Sequence, residues 1–348
     1  MPIPFIIGGL ALAAAGYGAK KGIDAKEDFD SAKSINKKAQ RLYDETSEEL
    51  EEAKNLTNKR LQNLGELKFK IYEEIILPFI NASDKIQNRP ERIYSSDREY
   101  EKDNNFEKLV SSDKHRLEIE EMVHGGITAL GTGGLAGLAS YGAVGTLATA
   151  SSGASIAGLS GVAATNATLA WLGGGALSAG GMGMAGGMVV LGGIVAGPVL
   201  AIGGMMLSSK AEAAKEDAYT NLSKAKLASE EMETAKVKTL GIAQRVSELE
   251  ESITNILEKL TPKIKEFYQV IDKKRWLFFS NTNWDKMSPE DRTIVIIVDT
   301  LAETLFNLIE VDLLNKDGSL TLQSKEIVVN AISDAEGDLK KKEVFINA

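Results

Sequence analysis

The chain has 348 residues, a formal net charge of −9 and a sequence pI near 5.1. This acidic balance argues against nucleic acid as a main partner, because a phosphate backbone is bound by basic surfaces. Cysteine is absent and the only histidines are His115 and His124, which excludes disulfides, thiol catalysis and thiolate metal sites. We therefore expect no catalytic residues, no cofactor and no metal site.

The first predicted element, residues 1–23, is an apolar N-terminal helix whose sequence after Met1 is PIPFIIGGLALAAAGYGA. Lys20 and Lys21 follow the apolar run, whereas a cleaved signal peptide carries its positive charge before it. We therefore expect this helix to be retained, in contact with a membrane or packed in a core.

Residues 24–121 are charged and helix-prone, and they predict the first stalk helices with a polar linker near 87–104. Apolar or small side chains recur near heptad spacing, with Lys68 interrupting the seam, and a kink is expected at Pro78. This pattern predicts an amphipathic, coiled-coil-like helix. The heptad positions are Leu50, Ala53, Thr57, Leu61, Leu64, Ile71 and Ile75.

The most unusual feature is the window 122–209, which contains no Asp, Glu, Lys or Arg in 88 residues and holds 24 of the 33 glycines. Soluble domains carry a charge at about every fourth residue. About 20 apolar residues cross a bilayer core, so the window has room for two long spans or up to four shorter helices. Thr165 and Asn166 are good turn and cap residues, and they predict the turn of an apolar hairpin.

Small residues recur every four positions in this window, a spacing that lets helices approach closely in lipid. Tyr141 and Trp171 are predicted interface anchors, with packing inside a bundle as an equal alternative. For the whole window, the alternative to a membrane hairpin is a buried helix pair in a soluble bundle. The two interpretations are compatible if the bundle stores the hairpin before insertion. The predicted insertion and zipper positions are Gly133, Gly137, Gly183, Gly187, Gly193 and Gly197.

Residues 210–280 predict a second stalk helix, which we expect to pair antiparallel with the first and to bend at Pro262. Its heptad run indicates a coiled-coil face. The run comprises Ile242, Val246, Leu249, Ile253, Ile256 and Leu260.

Residues 281–348 predict a C-terminal helical cap. Ser288 and Pro289 form a typical helix start, with serine as the N-cap and proline at the first helical position. The apolar run Thr293–Leu314 carries four acidic residues, which favours a core helix over a membrane span. A last helix is expected to reach about Lys340.

Two stretches of this sequence resemble a known group of proteins. The run SGVAATNATLAWLGGGALSAGGMGMAGGMVVLGGIVAGPVLAIGG (Ser160–Gly204) and the start PFIIGGLALAAAGYGAKKGIDA resemble an uncharacterised family of bacterial glycine-zipper, coiled-coil membrane proteins. That family is similar to the apolipoprotein L proteins in its helices around a Gly/Ala-rich hairpin, and in layout to α-helical pore-forming toxins. The resemblance implies action on membranes, with channel-like or membrane-disrupting activity.

The predicted fold is all-α: an elongated antiparallel helical bundle or coiled coil with a Gly/Ala-rich apolar helical hairpin. The predicted function is a membrane-inserting, pore-forming or membrane-disrupting protein that stores this hairpin in a soluble bundle. The alternative is a constitutive membrane-anchored scaffold whose coiled coil binds a protein partner. The expected partners are a lipid bilayer and further copies of the chain, starting from a soluble form in the bacterial cytoplasm or outside the cell.

Overall fold

The computed structural model describes residues 19–90, 106, 113–146, 211–278, 282–315 and 319–342. Within these ranges the chain is almost entirely helical, which confirms the all-α class. The strands described are two residues long each, β1 (Ile86–Gln87) and β2 (Thr282–Asn283). The helices are α1 (Ala19–Ile71), α2 (Leu77–Ser83), α3 (Asp113–Gly125), α4 (Ile127–Thr146), α5 (Ala211–Phe278), α6 (Pro289–Glu310) and α7 (Leu322–Lys342).

The described residues belong to two compact units. Unit 1 holds the parts of α1 and α5 up to Thr57 and Gly241, and unit 2 holds the parts from Asn58 and Ile242 onward with the remaining elements.

Unit 1 is a parallel pair of helices. Its contacts advance along α5 as they advance along α1, so the two helices run in the same direction. A buried hydrogen bond of 2.7 Å between the hydroxyls of Thr46 and Ser229 lies on this seam. A polar pair buried in a coiled coil specifies register. Further polar side-chain pairs along this seam are Asp28 with Lys215, Asn36 with Asn221 and Glu49 with Lys236.

The same two helices also run parallel within unit 2. Arg60 donates a hydrogen bond of 2.9 Å to the carbonyl of Ala243, and β1 pairs with β2 in parallel, with Ile86 opposite Thr282. The antiparallel pairing expected from the sequence is therefore wrong for α1 and α5. A heptad pattern identifies the buried face of a helix but not its direction, and a long connection such as residues 72–210 allows parallel neighbours.

The predicted coiled-coil faces are confirmed by burial. All six heptad residues of α5 are buried, as are those of α1 from Leu50 to Ile71, while Ile75 is partly buried. Lys68, expected as a polar interruption of the seam, is fully buried.

The core of unit 2 gathers the apolar faces of its helices around a cluster of aromatic rings. Phe79 lies 5.5 Å from Phe267, and Phe106 lies 5.4 Å from Phe306, measured between ring centroids. Large buried aromatic rings of this kind account for much of the apolar stabilisation of a domain.

The two prolines differ in their effect on the helices. Pro262 lies inside α5, which continues through it without a break, and the bend expected there stays a prediction. Near Pro78 the irregularity lies upstream: residues Tyr72–Ile76 form a π-helical turn, and Pro78 sits in the first turn of α2. This placement fits the steric conflict between a proline ring and the carbonyl four residues before it.

The C-terminal region follows its sequence prediction. Ser288 caps α6 by accepting a hydrogen bond of 3.1 Å from the backbone N–H of Asp291, with Pro289 in the first turn. Helix α6 is buried along most of its length, as expected for a core helix, and α7 ends at Lys342, close to the predicted Lys340.

Candidate functional site

Helix α4 is the part of the charge-free window that the structure describes most fully, and it is docked in the core of unit 2. Leu130, Leu135, Leu138 and Ala139 are buried there, and α4 packs against α3 and α6. Helix α4 is thus a buried helix, whereas the buried pair of the alternative includes residues that lie outside the described ranges. Across the described ranges, no helix is both long enough and apolar enough to span a bilayer.

Helices α1 and α4 approach each other closely at a glycine. A Cβ atom placed on Gly65 would lie 2.9 Å from the Cα and 2.7 Å from the carbonyl carbon of Leu135. These are backbone atoms, which cannot rotate away as a side chain can. Gly65 therefore allows α4 to lie directly against α1.

One turn further along α1, a lysine lies beneath the docked helix. Lys68 is fully buried, and its ammonium donates a hydrogen bond of 2.9 Å to the carbonyl oxygen of Ala139. Burial lowers the pKa of Lys68 to about 8, although the carboxylates of Glu310 and Asp312 oppose that change. Burial also raises the pKa of Asp312, with Lys68 acting in the opposite direction.

Close to this lysine, helix α4 contains a residue with a left-handed backbone conformation. Gly142 has a φ of +67°, a left-handed conformation that favours glycine, and it packs against Glu310. The N–H of Leu313 donates a hydrogen bond of 2.7 Å to the carbonyl of Ser140. A left-handed residue leaves the preceding carbonyls without their regular helical donors, so Lys68 and Leu313 supply replacements.

Glu310, which packs against Gly142, also contacts the π-helical turn. The hydroxyl of Tyr72 donates a hydrogen bond to Oε1 of Glu310, and the ring of Tyr72 meets Phe306 edge-on at 6.3 Å. We call Lys68, Tyr72, Glu310 and Asp312, with the carbonyl of Ala139, the α4 cluster. It places one cation and two carboxylates under a helix that carries no charge of its own.

A buried ion pair lies elsewhere in unit 2. The guanidinium of Arg89, just after β1, pairs with Oδ2 of Asp299 in the middle of α6. Asp299 is fully buried, and its Oδ1 has no hydrogen-bond partner among the described residues. A buried pair of this kind is costly to break from one side, because the remaining charge stays in the core.

The predicted insertion residues divide between described and undescribed parts of the chain. Gly133, Gly137 and Tyr141 lie within α4, where Gly137 is buried. Gly183, Gly187, Gly193 and Gly197 lie outside the described residues, as do the predicted turn at Thr165 and Asn166 and the predicted anchor Trp171.

The residues that hold α4 were mostly missed by sequence reasoning. Gly65 carries a usable signal, because a glycine inside a charged helical arm weakens the helix and needs a packing reason. Lys68 was identified as an irregularity, but its partners Glu310 and Asp312 lie in a distant part of the sequence. No local pattern connects them.

We expect Gly65→Ala to destabilise unit 2 by about 1–3 kcal/mol, because the new methyl group forces α1 and α4 apart. Gly241→Ala is the matched control, since a Cβ atom there meets none of the described atoms within 4 Å. It should stabilise the protein by up to about 1 kcal/mol through helix propensity alone. Urea unfolding followed by circular dichroism measures both, and equal effects at the two glycines would contradict the close contact.

Comparison with known proteins finds no relative. No family model matches the chain, and neither the curated proteins nor the solved structures contain a match.

Proposed function

We propose that this protein inserts apolar segments into a lipid bilayer and disrupts its barrier, either as a pore or by general perturbation. The observation that carries the proposal is the parallel pairing of α1 and α5 in unit 1. Residues 2–18 precede α1 and the most apolar run, residues 188–206, lies shortly before α5. Because Asp28 contacts Lys215 near both helix starts, the two apolar segments join unit 1 at the same end.

The sequence around these junctions fits a membrane surface. Lys20, Lys21 and Lys210 stand where the apolar segments meet the charged helices. Lysine side chains at such positions extend toward the headgroups while their stems stay in the apolar layer. Since the net charge is −9, apolar burial must drive the association, with these lysines as local anchors.

The docked position of α4 supports a stored, insertion-ready state. A charge-free helix that packs in the core through apolar side chains such as Leu135 and Leu138 can exchange these protein neighbours for lipid, which offers similarly apolar surroundings. Insertion through several small-residue faces also suggests assembly of several copies in the membrane.

Liposome flotation and dye release test this function on the full chain. We expect flotation and release with the unaltered protein, and at least a tenfold loss of release in Val189→Arg/Leu200→Arg. Each arginine opposes insertion by about 3 kcal/mol at mid-bilayer. Val329→Arg on the exposed face of α7 is the control and should release dye normally. Absence of flotation and release across lipid compositions and pH values would contradict the proposal.

A permanent membrane anchor with a partner-binding coiled coil is the second candidate. Tyr219, Leu227 and Val237 are exposed apolar side chains on α5 in unit 1, which favours a protein contact there. Cell fractionation separates the two functions. An anchor is always bound to membrane and releases no dye, whereas an inserting protein is found partly in soluble form.

A further inference from the structure

Lys68 occupies a position where its chemistry weakens the packing around it. It belongs to the buried seam of α1, where Leu64 and Ile71 are buried apolar neighbours. Of the two carboxylates that act on it, Glu310 is half-buried and Asp312 is exposed, so both keep contact with water if the cation is removed. The desolvation cost therefore falls on the ammonium of Lys68, which is fully buried. A methionine at this position would thus be expected to hold unit 2 together at least as well as the lysine does.

The desolvation cost of this buried cation acts where α4 packs against α1. Its ammonium donates a hydrogen bond to the carbonyl of Ala139, three residues before the left-handed Gly142 of α4. The charged groups that act on it are Glu310 and Asp312, and Tyr72 donates to Glu310. Helix α4 itself contributes no charged residue. Helix α4 is therefore held at this cluster without an ionic bond of its own.

We propose that Lys68 is a built-in weakness that keeps α4 releasable, so that the helix can leave its dock on α1 and meet lipid. This inference rests on the proposed membrane function and adds its regulation. In the docked state the lysine satisfies one carbonyl of α4 while placing a cation in the core. When α4 leaves, the ammonium gains access to water and its desolvation penalty is relieved. Once free of Lys68, Leu313 and Glu310, the segment around Gly142 is no longer held in its left-handed conformation.

The opposite interpretation is that Lys68 clamps α4 in place, and the two interpretations predict opposite signs. If Lys68 is a clamp, Lys68→Met loosens α4, because the bond to Ala139 is lost. If Lys68 is a weakness, the same substitution tightens α4, because the buried cation is gone. The measurement must therefore report on α4 locally and without lipid.

Because the natural chain has no cysteine, single thiols can report local opening. Ala136→Cys places a buried thiol on α4, and Ala243→Cys places a buried thiol on α5 in the same unit. Leu322→Cys supplies a highly exposed reference for the intrinsic reaction with a maleimide. Labelling rates are measured at pH 7.4 in lipid-free buffer and divided by the rate of the Leu322→Cys variant.

We expect the thiol of Ala136→Cys to react faster than that of Ala243→Cys when Lys68 is present. Adding Lys68→Met should slow the α4 thiol by about tenfold, because a desolvated cation no longer favours opening of the dock. The α5 thiol should keep its rate. Faster or unchanged labelling of the α4 thiol with Lys68→Met overturns the proposal. If both thiols accelerate, Lys68 is a general structural residue and the proposal is overturned as well.

Dye release separates a failure of this inference from a failure of the membrane function. If Lys68→Met tightens α4 while the natural chain releases no dye, the weakness exists but the proposed function is wrong. If the natural chain releases dye and Lys68→Met changes neither labelling nor release, the function stands and this inference is wrong.

Discussion

Arg89→Met is expected to destabilise unit 2 by about 3–5 kcal/mol, the usual cost of leaving one charge of a buried ion pair without its partner. Asp299 is fully buried on α6, its Oδ2 pairs with Arg89, and within the described part of the chain its Oδ1 has no hydrogen-bond partner. The carboxylate in the variant must either stay ionised in an apolar core or take up a proton. Both options lower the free energy of unfolding.

A double substitution distinguishes this charge effect from simple loss of packing. Arg89→Met/Asp299→Leu removes both charges and should recover more than half of the lost stability, since an apolar pair can replace a buried ion pair. Urea unfolding of the single and double variants gives the coupling between the two positions. If the double variant is as unstable as Arg89→Met, the charge of Asp299 is not the source of the effect.

An exposed ion pair in the same unit provides the control. Lys259 and Glu336 lie 3.5 Å apart with both side chains largely in solvent. Lys259→Met should therefore change the free energy of unfolding by less than about 1 kcal/mol. If Lys259→Met and Arg89→Met lower the free energy of unfolding by similar amounts, burial of the ion pair is not what determines the loss of stability.

The sequence identifies helices and their buried faces well, because these depend on local periodicity. The heptad residues from Leu50 to Leu64 and from Ile242 to Leu260 are buried as predicted, and Ser288 caps α6. In each case the deciding interaction lies within a few residues of the chain or repeats along it.

The direction of the helices and the contacts of α4 are not encoded locally. Nothing in the heptads of α1 and α5 distinguishes a parallel from an antiparallel pair, and the direction is visible only from contacts such as Thr46 with Ser229. Likewise, the role of Lys68 depends on Glu310 and Asp312, which reach it only through the folded core. The apolar window predicts a membrane segment, yet its first helix is a core element of unit 2.

The stability of the protein should increase by about 2 kcal/mol between pH 7 and pH 9.5, as Lys68 loses its proton. Burial lowers the pKa of Lys68 to about 8 in the folded protein, whereas the unfolded chain keeps the ordinary value of 10.5. Between these values the unfolded chain binds more protons than the folded one. Stability therefore rises with pH across this interval and is lowest where Lys68 is charged in both states.

The upper limit of the experiment is set by two tyrosines. Burial raises the pKa of Tyr43 and of Tyr268 above the ordinary value of 10.0. Above pH 10 the unfolded chain loses these protons first, so their ionisation lowers stability and opposes the effect of Lys68. Urea unfolding at half-unit steps from pH 7 to pH 9.5 avoids this overlap.

Two variants assign the rise in stability to one side chain. Lys68→Met should remove most of the pH dependence and be at least as stable as the natural protein at pH 7, because the desolvation cost of a fully buried cation is absent while the nearby carboxylates keep contact with water. Lys70→Met alters an exposed lysine two residues further along α1 and should keep the full rise. A Lys68→Met protein that still gains about 2 kcal/mol by pH 9.5, or that is less stable than the natural protein at pH 7, would show that the buried ammonium is not what weakens the core beneath α4.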